Sequence, residues 1–246
     1  MKQLFIIIFC LWNTSVVLYS QNYLAEYNSN ANEIGGTLLF NANTWRYDVS
    51  SKVELEISVS SDDVDVQDLN SQDDSSEKGK TITLINFRSW DKNYYLDTEF
   101  TFGGFVTIKG ELIKPEWTIV ADSMKMINDY TCLMAKGFLC GRNFTVWFTP
   151  DIPVSVGPWK LWGLPGLIVS ALSDDGFVNC HLSSLKKTDQ QPIEPVVEKT
   201  ISPSEFKTQW NEAIKKFSRK MRSFSDGIDV EVTFSNVQMA DKSLLE

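Results

Sequence analysis

Between Tyr94 and Leu185 the sequence leaves room for little but antiparallel β structure. Apolar-rich runs follow one another there: Tyr94 to Phe100, Phe105 to Leu112, Trp117 to Met126, Tyr130 to Phe138, Asn143 to Phe148, Leu167 to Leu172 and Phe177 to Leu185. The residues between them are turn formers. Gly103 and Gly104, Asn128 and Asp129, Gly141 and Arg142, and Asp174, Asp175 and Gly176 supply positive φ or Asx turns. Connections this short join antiparallel neighbours, because a parallel pair needs a long crossover. The expected fold class is mainly β: a curved antiparallel sheet that forms a half-barrel, barrel or sandwich, with one amphipathic C-terminal helix.

Upstream, Val53, Leu55, Ile57 and Val59 alternate with Glu54, Glu56, Ser58 and Ser60, the period of a half-buried strand. Thr37 to Asn41 and Thr44 to Val49 read as its partners, and Ile82 to Phe87 resumes β character. Residues 61–80 carry Asp62, Asp63, Asp65, Asp68, Asp73, Asp74 and Glu77. They lack the turn Gly and the bidentate Glu of a calcium loop, so a solvated acidic loop is expected. The helix is expected over 202–222. Ser202, Pro203 and Glu205 form a capping box, and Phe206, Trp210, Ile214 and Phe217 share one face suited to packing on a sheet. Thr188 to Pro195 is a polar connector, and Asp229 to Phe234 alternates like a last strand.

The N-terminus reads as a secretory signal peptide over 1–20. Lys2 precedes an apolar run from Leu4 to Leu11 and on to Leu18, with cleavage expected after Ser20. Cys10 follows bulky Phe9 too early in that run to be a lipid-attachment site, so a non-lipidated exported protein is expected. Residues 21–246 would then form a single β-rich domain, expected to be monomeric and without a transmembrane segment. An oxidising compartment permits one disulfide among Cys132, Cys140 and Cys180 with one thiol left over; three buried, unbridged cysteines fit equally well. The formal net charge of −9 repels phosphate backbones and argues against nucleic acid as a partner.

Familiar catalytic constellations are mostly absent, with a pairing of His181 with Cys132 or Cys140 across strands as the one Cys and His arrangement left open. His181 is the single histidine, which excludes His-rich metal sites, and its neighbour Cys180 points to the opposite face of a strand. No nucleophile elbow, Walker loop or dinucleotide fingerprint is present. No catalytic residue, metal or cofactor is therefore assigned. Carboxylates are plentiful, but the sequence alone does not single out a pair.

The segment from Arg142 to Ile168 differs from the rest. It sets Pro150, Pro153, Pro158 and Pro165 among Trp147, Trp159 and Trp162. Prolines remove donors and fix φ, so Thr149 to Lys160 cannot be a central strand and is expected along a sheet edge or rim. Gly163 and Gly166 bracket Leu164 and Pro165 as in a tight turn needing positive φ. Trp and Arg dominate recognition surfaces, which makes Arg142, Trp147, Trp159, Lys160 and Trp162 the candidate binding residues.

Gly163, Leu164, Pro165, Gly166, Leu167 and Ile168 match letter for letter the signature of the GLPGLI family of exported Bacteroidetes proteins. Gly157 and Pro158 belong to the same motif. Tyr130 to Cys132, Gly141 and Arg142, Trp147 to Thr149, and Ile152 and Pro153 also resemble the family pattern, from about 111 to 185. Cys140 departs from it, so a disulfide through Cys140 would be local to this chain. The resemblance implies a periplasmic or outer-membrane-facing location and brings no biochemical activity with it. Three functions follow as expectations. The first is a non-catalytic binding or carrier module for an apolar or lipid-like ligand. The second is an interaction subunit docking on an envelope protein such as an outer-membrane transporter or secreted peptidase, and the third is a hydrolase with a carboxylate or Cys centre.

Overall fold

The computed structural model describes residues 21–29, 34–52, 56–59, 81–101, 104–225 and 230–233. The expected signal peptide and acidic loop lie outside them. The first half of the chain supplies β1 (Asn22–Ser29), β2 (Gly36–Phe40), β3 (Thr44–Lys52), β4 (Glu56–Val59), β5 (Thr81–Ser89), β6 (Tyr94–Thr101) and β7 (Gly104–Glu111). The second half supplies β8 (Trp117–Ile127), β9 (Tyr130–Leu139), β10 (Arg142–Thr149), β11 (Leu167–Ser173), β12 (Asn179–Thr188) and β13 (Thr200–Ile201). The helix α1 (Pro203–Ser225) and the strand β14 (Val230–Thr233) follow.

Twelve strands make one sheet in the order β13-β7-β6-β5-β3-β2-β1-β12-β11-β10-β9-β8. Two meanders are fused at the middle, where β1 pairs antiparallel with β12. Every pairing is antiparallel except that of β13 with β7. The sheet is mainly antiparallel and is not closed, as no ladder joins β8 to β7 or β13 among the described residues.

Its curvature follows from one connection. β7 and β8 lie ten strand intervals apart, about 48 Å in a flat sheet. The five residues 112–116 that join them span roughly 20 Å at most. The sheet must therefore curl until its two ends face each other across a seam. Register shifts at Glu26/Tyr27, Trp147/Phe148 and Ile119/Met124 supply local bends. The concave side carries the core, with Leu38, Phe40, Trp45, Phe144, Val146, Phe148 and Ile168 each 2% exposed or less.

The runs expected between Tyr94 and Leu185 are all strands, with ends displaced by at most three residues. One expectation is corrected. β4, the described part of the strand expected over 53–60, does not pair with 44–49, because those residues lie in β3, which pairs with β2 on one side and β5 on the other. β4 lies in the excursion between β3 and β5 and pairs with β14 instead. The central strand β1 was not expected at all.

α1 begins as its cap predicts. Ser202 N donates to Glu205 Oε2 at 2.7 Å, and Glu205 N donates to Ser202 Oγ at 3.2 Å. Phe206 and Trp210 are buried against Ile108 and Ile201, while the side chains of Ile214 and Phe217 lie outside the described set. No described helix is long and apolar enough to cross a membrane.

The bonds from the backbone and hydroxyl of Ser202 hold the Glu205 carboxyl below its ordinary value of 4.5. A lowered folded-state pKa contributes stability above the unfolded value and loses it as pH falls through the folded one. The first turn of α1 should therefore weaken as the solution is acidified below about pH 4.5. Amide exchange of Glu205 and Phe206 would report this, and Glu205→Gln should flatten the dependence.

Candidate functional site

Residues 150–166 leave the end of β10 and return to β11, its neighbour in the sheet. The prolines keep them out of the ladder, with Val156↔Trp162 as their one isolated bridge among the described residues. The rim expectation is corrected from Val156 on, where the segment turns inward, while residues 150–155 stay exposed or half-buried. Val156, Trp159, Leu161 and Leu164 are all 3% exposed or less and join the main core. A sheet of this many strands encloses more space than its own side chains fill, and these apolar groups occupy it.

Backbone bonds fix the segment. Leu167 N donates to Ile152 O and Ile168 N to Val156 O, both at 3.0 Å. Trp117 Nε1 donates to Trp162 O at 2.7 Å, and Tyr27 Oη donates to Ile168 O at 2.6 Å. Gly163 has φ +98° and fits the turn as expected. Gly166 is absent from the positive-φ residues; glycine is required there because a Cβ would lie 2.2 Å from Thr149 O. Trp159 is the unusual residue, with φ 56°, a conformation that costs an L-residue of this bulk about 1–2 kcal/mol.

The five candidate binding residues do not share one surface. Arg142 is buried, donates from Nε to Asp175 Oδ2 at 3.0 Å and lies 4.3 Å over Phe177. Trp159 packs between Phe144 and Phe177. These two therefore brace one end of the core. Trp147 is half-buried beneath Lys125 Nζ, 4.1 Å from its ring. Trp162 and Lys160 remain; Trp162 stands between two clefts and lines both, and Lys160 belongs to the second.

The first cleft, about 490 Å³, is walled by Tyr23, Phe40, Trp90, Val154, Val156 and Trp162. Trp90 and Trp162 meet at 4.7 Å between ring centroids, and Tyr23 stacks on Phe40 at 5.4 Å. It is an aromatic slot with few polar groups.

The second cleft, about 850 Å³, lies at the seam between the two ends of the sheet. Its floor is charged. Lys160 bonds to Glu99 and lies 3.4 Å from Asp97 Oδ2, and Arg88 grips Asp97 with both Nη atoms. The Arg88 guanidinium sits between Trp45 and Tyr95 at 5.1 and 4.9 Å. Arg88, Asp97, Glu99 and Lys160 are each 5% exposed or less. Asp97 and Glu99 share the concave face of β6 with Tyr95, and Gly110 opposite leaves room for the Tyr95 ring, which a Cβ would meet at 2.5 Å. Sequence reading named Lys160 alone of this group. The one local hint was polar residues at positions 97 and 99 on the core side of a strand.

Cys132, Cys140 and Cys180 are unbridged thiols. Burial pushes the Cys180 thiol up to about 12 and raises that of Cys132 as well, so neither is a thiolate at neutral pH and neither suits a nucleophile. Cys140 is half-buried and lines the charged cleft. Brief exposure to iodoacetamide at pH 8 should modify Cys140 and leave Cys180 unmodified, as peptide mass mapping would show.

The structure thus defines a curled, open β-sheet whose inside is filled by its own proline-rich corner. Residues 140–170, which contain that corner, match the sequence model of a family described as a protein of unknown function (Porph_ging). No curated protein sequence matches the chain. Two crystal structures of PNGF-II, in different space groups, are similar to it, each with a TM-score of 0.49. Sequence identity is 16% and 19%, over 79% of this chain and 33% and 34% of those chains. The chain spans about a third of the length of the PNGF-II chains.

Proposed function

We propose that this chain is a non-catalytic binding or carrier module of the cell envelope, exported by the segment 1–20 to the periplasm or the outer membrane. The observation that carries the reading is the aromatic slot. Its 490 Å³ falls in the range of small-molecule sites, and Tyr23, backed by the buried Phe40, together with Trp90 and Trp162, offers aromatic surface to an apolar or lipid-like ligand. Trp162 reaches the slot from the Gly157 to Ile168 motif, which links the most distinctive sequence to the place where a ligand would sit. The letter match of Gly163 to Ile168, inside the 140–170 window, supports membership in the GLPGLI family.

Native mass spectrometry of the protein purified from its own envelope tests the reading directly. A retained apolar molecule that is lost from Trp162→Ala supports it, and a bare protein from both preparations would sink it. Trp162 is half-buried, so the same substitution should weaken retention about tenfold while moving the thermal midpoint little. Equal losses of midpoint and retention would mean that the ring only caps the core.

A further inference from the structure

The charged cleft plays no part in the reading above, and its floor is built. Arg88, Asp97, Lys160 and Glu99 form a chain of alternating charge that sums to zero. A guanidinium carries five N–H groups. Arg88 spends three of them, one on Phe87 O and two on Asp97. The N–H of Nε and one of Nη2 have no acceptor among the described residues, on a side chain that is 4% exposed and lines the cleft. Asp97 accepts from both Nη atoms of Arg88 and has the Lys160 ammonium 3.4 Å from Oδ2, which leaves it lone-pair capacity for a further donor.

The sign of the ligand follows. An incoming carboxylate would set a second negative charge beside Asp97 against a cation that is already paired, and an incoming ammonium would do the same to Lys160. A carbonyl oxygen satisfies the spare Arg88 donors and leaves the balance untouched, while an amide N–H suits the remaining Asp97 capacity. Peptide backbone offers both groups on adjacent units. Leu112, Ile113 and Phe138 on the walls give its side chains apolar surface. We infer that this cleft binds a short uncharged stretch of peptide, with a backbone carbonyl on Arg88 and a backbone N–H on Asp97. The inference does not depend on the aromatic slot.

Cys140 on the same cleft reports occupancy, since Cys132 and Cys180 are buried. The full chain is alkylated with iodoacetamide in the presence of N-acetyl-Leu-Ser-Leu-amide, of the same tripeptide as the free acid, or of maltotriose. The blocked tripeptide should slow modification of Cys140 about fivefold, and the free acid should need about tenfold higher concentration for the same effect. Arg88→Lys keeps the cation and loses the fork, so it should raise the blocked tripeptide required about tenfold. Ile113→Glu, at a wall position 84% exposed and therefore harmless to packing, should do likewise by replacing apolar wall with a charge that the wall residues Glu111, Lys114, Glu116 and Lys136, two of each sign, do not balance. No slowing, equal slowing by the free acid or by maltotriose, or unchanged protection in both variants would each overturn the proposal.

Discussion

Lys160→Met should lower the unfolding free energy by about 3–5 kcal/mol, the usual cost of removing one partner from a buried ion pair. Lys160 is 3% exposed, and its ammonium is held by Glu99 and Asp97. Asp97 keeps Arg88 in the variant, but Glu99, itself 5% exposed, loses the cation it bonds. Most of the loss therefore comes from the Glu99 carboxylate, whose buried charge is no longer balanced by the Lys160 ammonium. The companion Glu99→Gln removes that charge, and the double variant should recover more than half of the deficit. Urea titrations of the two single variants and the double variant check this. A loss below about 1 kcal/mol for Lys160→Met would mean that the lysine reaches water and that the floor of the cleft is not as tightly paired as its geometry indicates.

Gly166→Ala should be nearly as damaging, at about 3 kcal/mol. The added methyl group would sit 2.2 Å from Thr149 O and 2.6 Å from Thr149 C, and backbone cannot rotate out of the way as a side chain can. Comparison with Gly163 separates this cause from conformational strain. Gly163 has φ +98° and its nearest neighbour to a Cβ is Pro115 Cδ at 3.1 Å, so asparagine, which tolerates the left-handed region, should be milder there than alanine. At Gly166 both residues should fail alike. Thermal midpoints of the four variants decide the matter, and a mild Gly166→Asn would return the cause to backbone conformation.

These two residues also show what was legible in the sequence. The strands from Tyr94 to Thr188 announce themselves through alternation and turn residues only a few positions apart, and the cap of α1 lies within four residues. Both kinds of signal are local. The need for glycine at 166 was legible too, although its cause was not, because the crowding atom belongs to Thr149 on the neighbouring strand. Pairing partners at long range leave no such mark. Nothing near Val53 says that it precedes a strand partnered by residues 230–233, and nothing near Asn22 says that β1 joins two meanders.

The candidate site was harder to read for the same reason. Arg88 and Asp97 are neighbours through the β5–β6 ladder, but Lys160 reaches Asp97 and Glu99 only because the corner turns inward, and that depends on the curl of the whole sheet. A lysine between two tryptophans in a proline-rich stretch looks like a surface residue until the partner carboxylates, more than sixty positions upstream, are known to face it. Arg142 and Trp159 were conspicuous by type, yet they brace the core around Phe177.

The ladder between β1 and β12 has a kinetic consequence. Its partners are more than 150 residues apart, from Ser29↔Cys180 to Asn22↔Thr188, whereas each meander on either side is built from near neighbours. Loop-closure entropy makes such a pairing slow, so two half-sheets should form early and wait to be joined. Until they meet, each presents an unpaired edge that belongs in the middle of the finished sheet. Dilution, or a chaperone that shields strand edges, should therefore matter more to the yield of refolding than to the stability of the product.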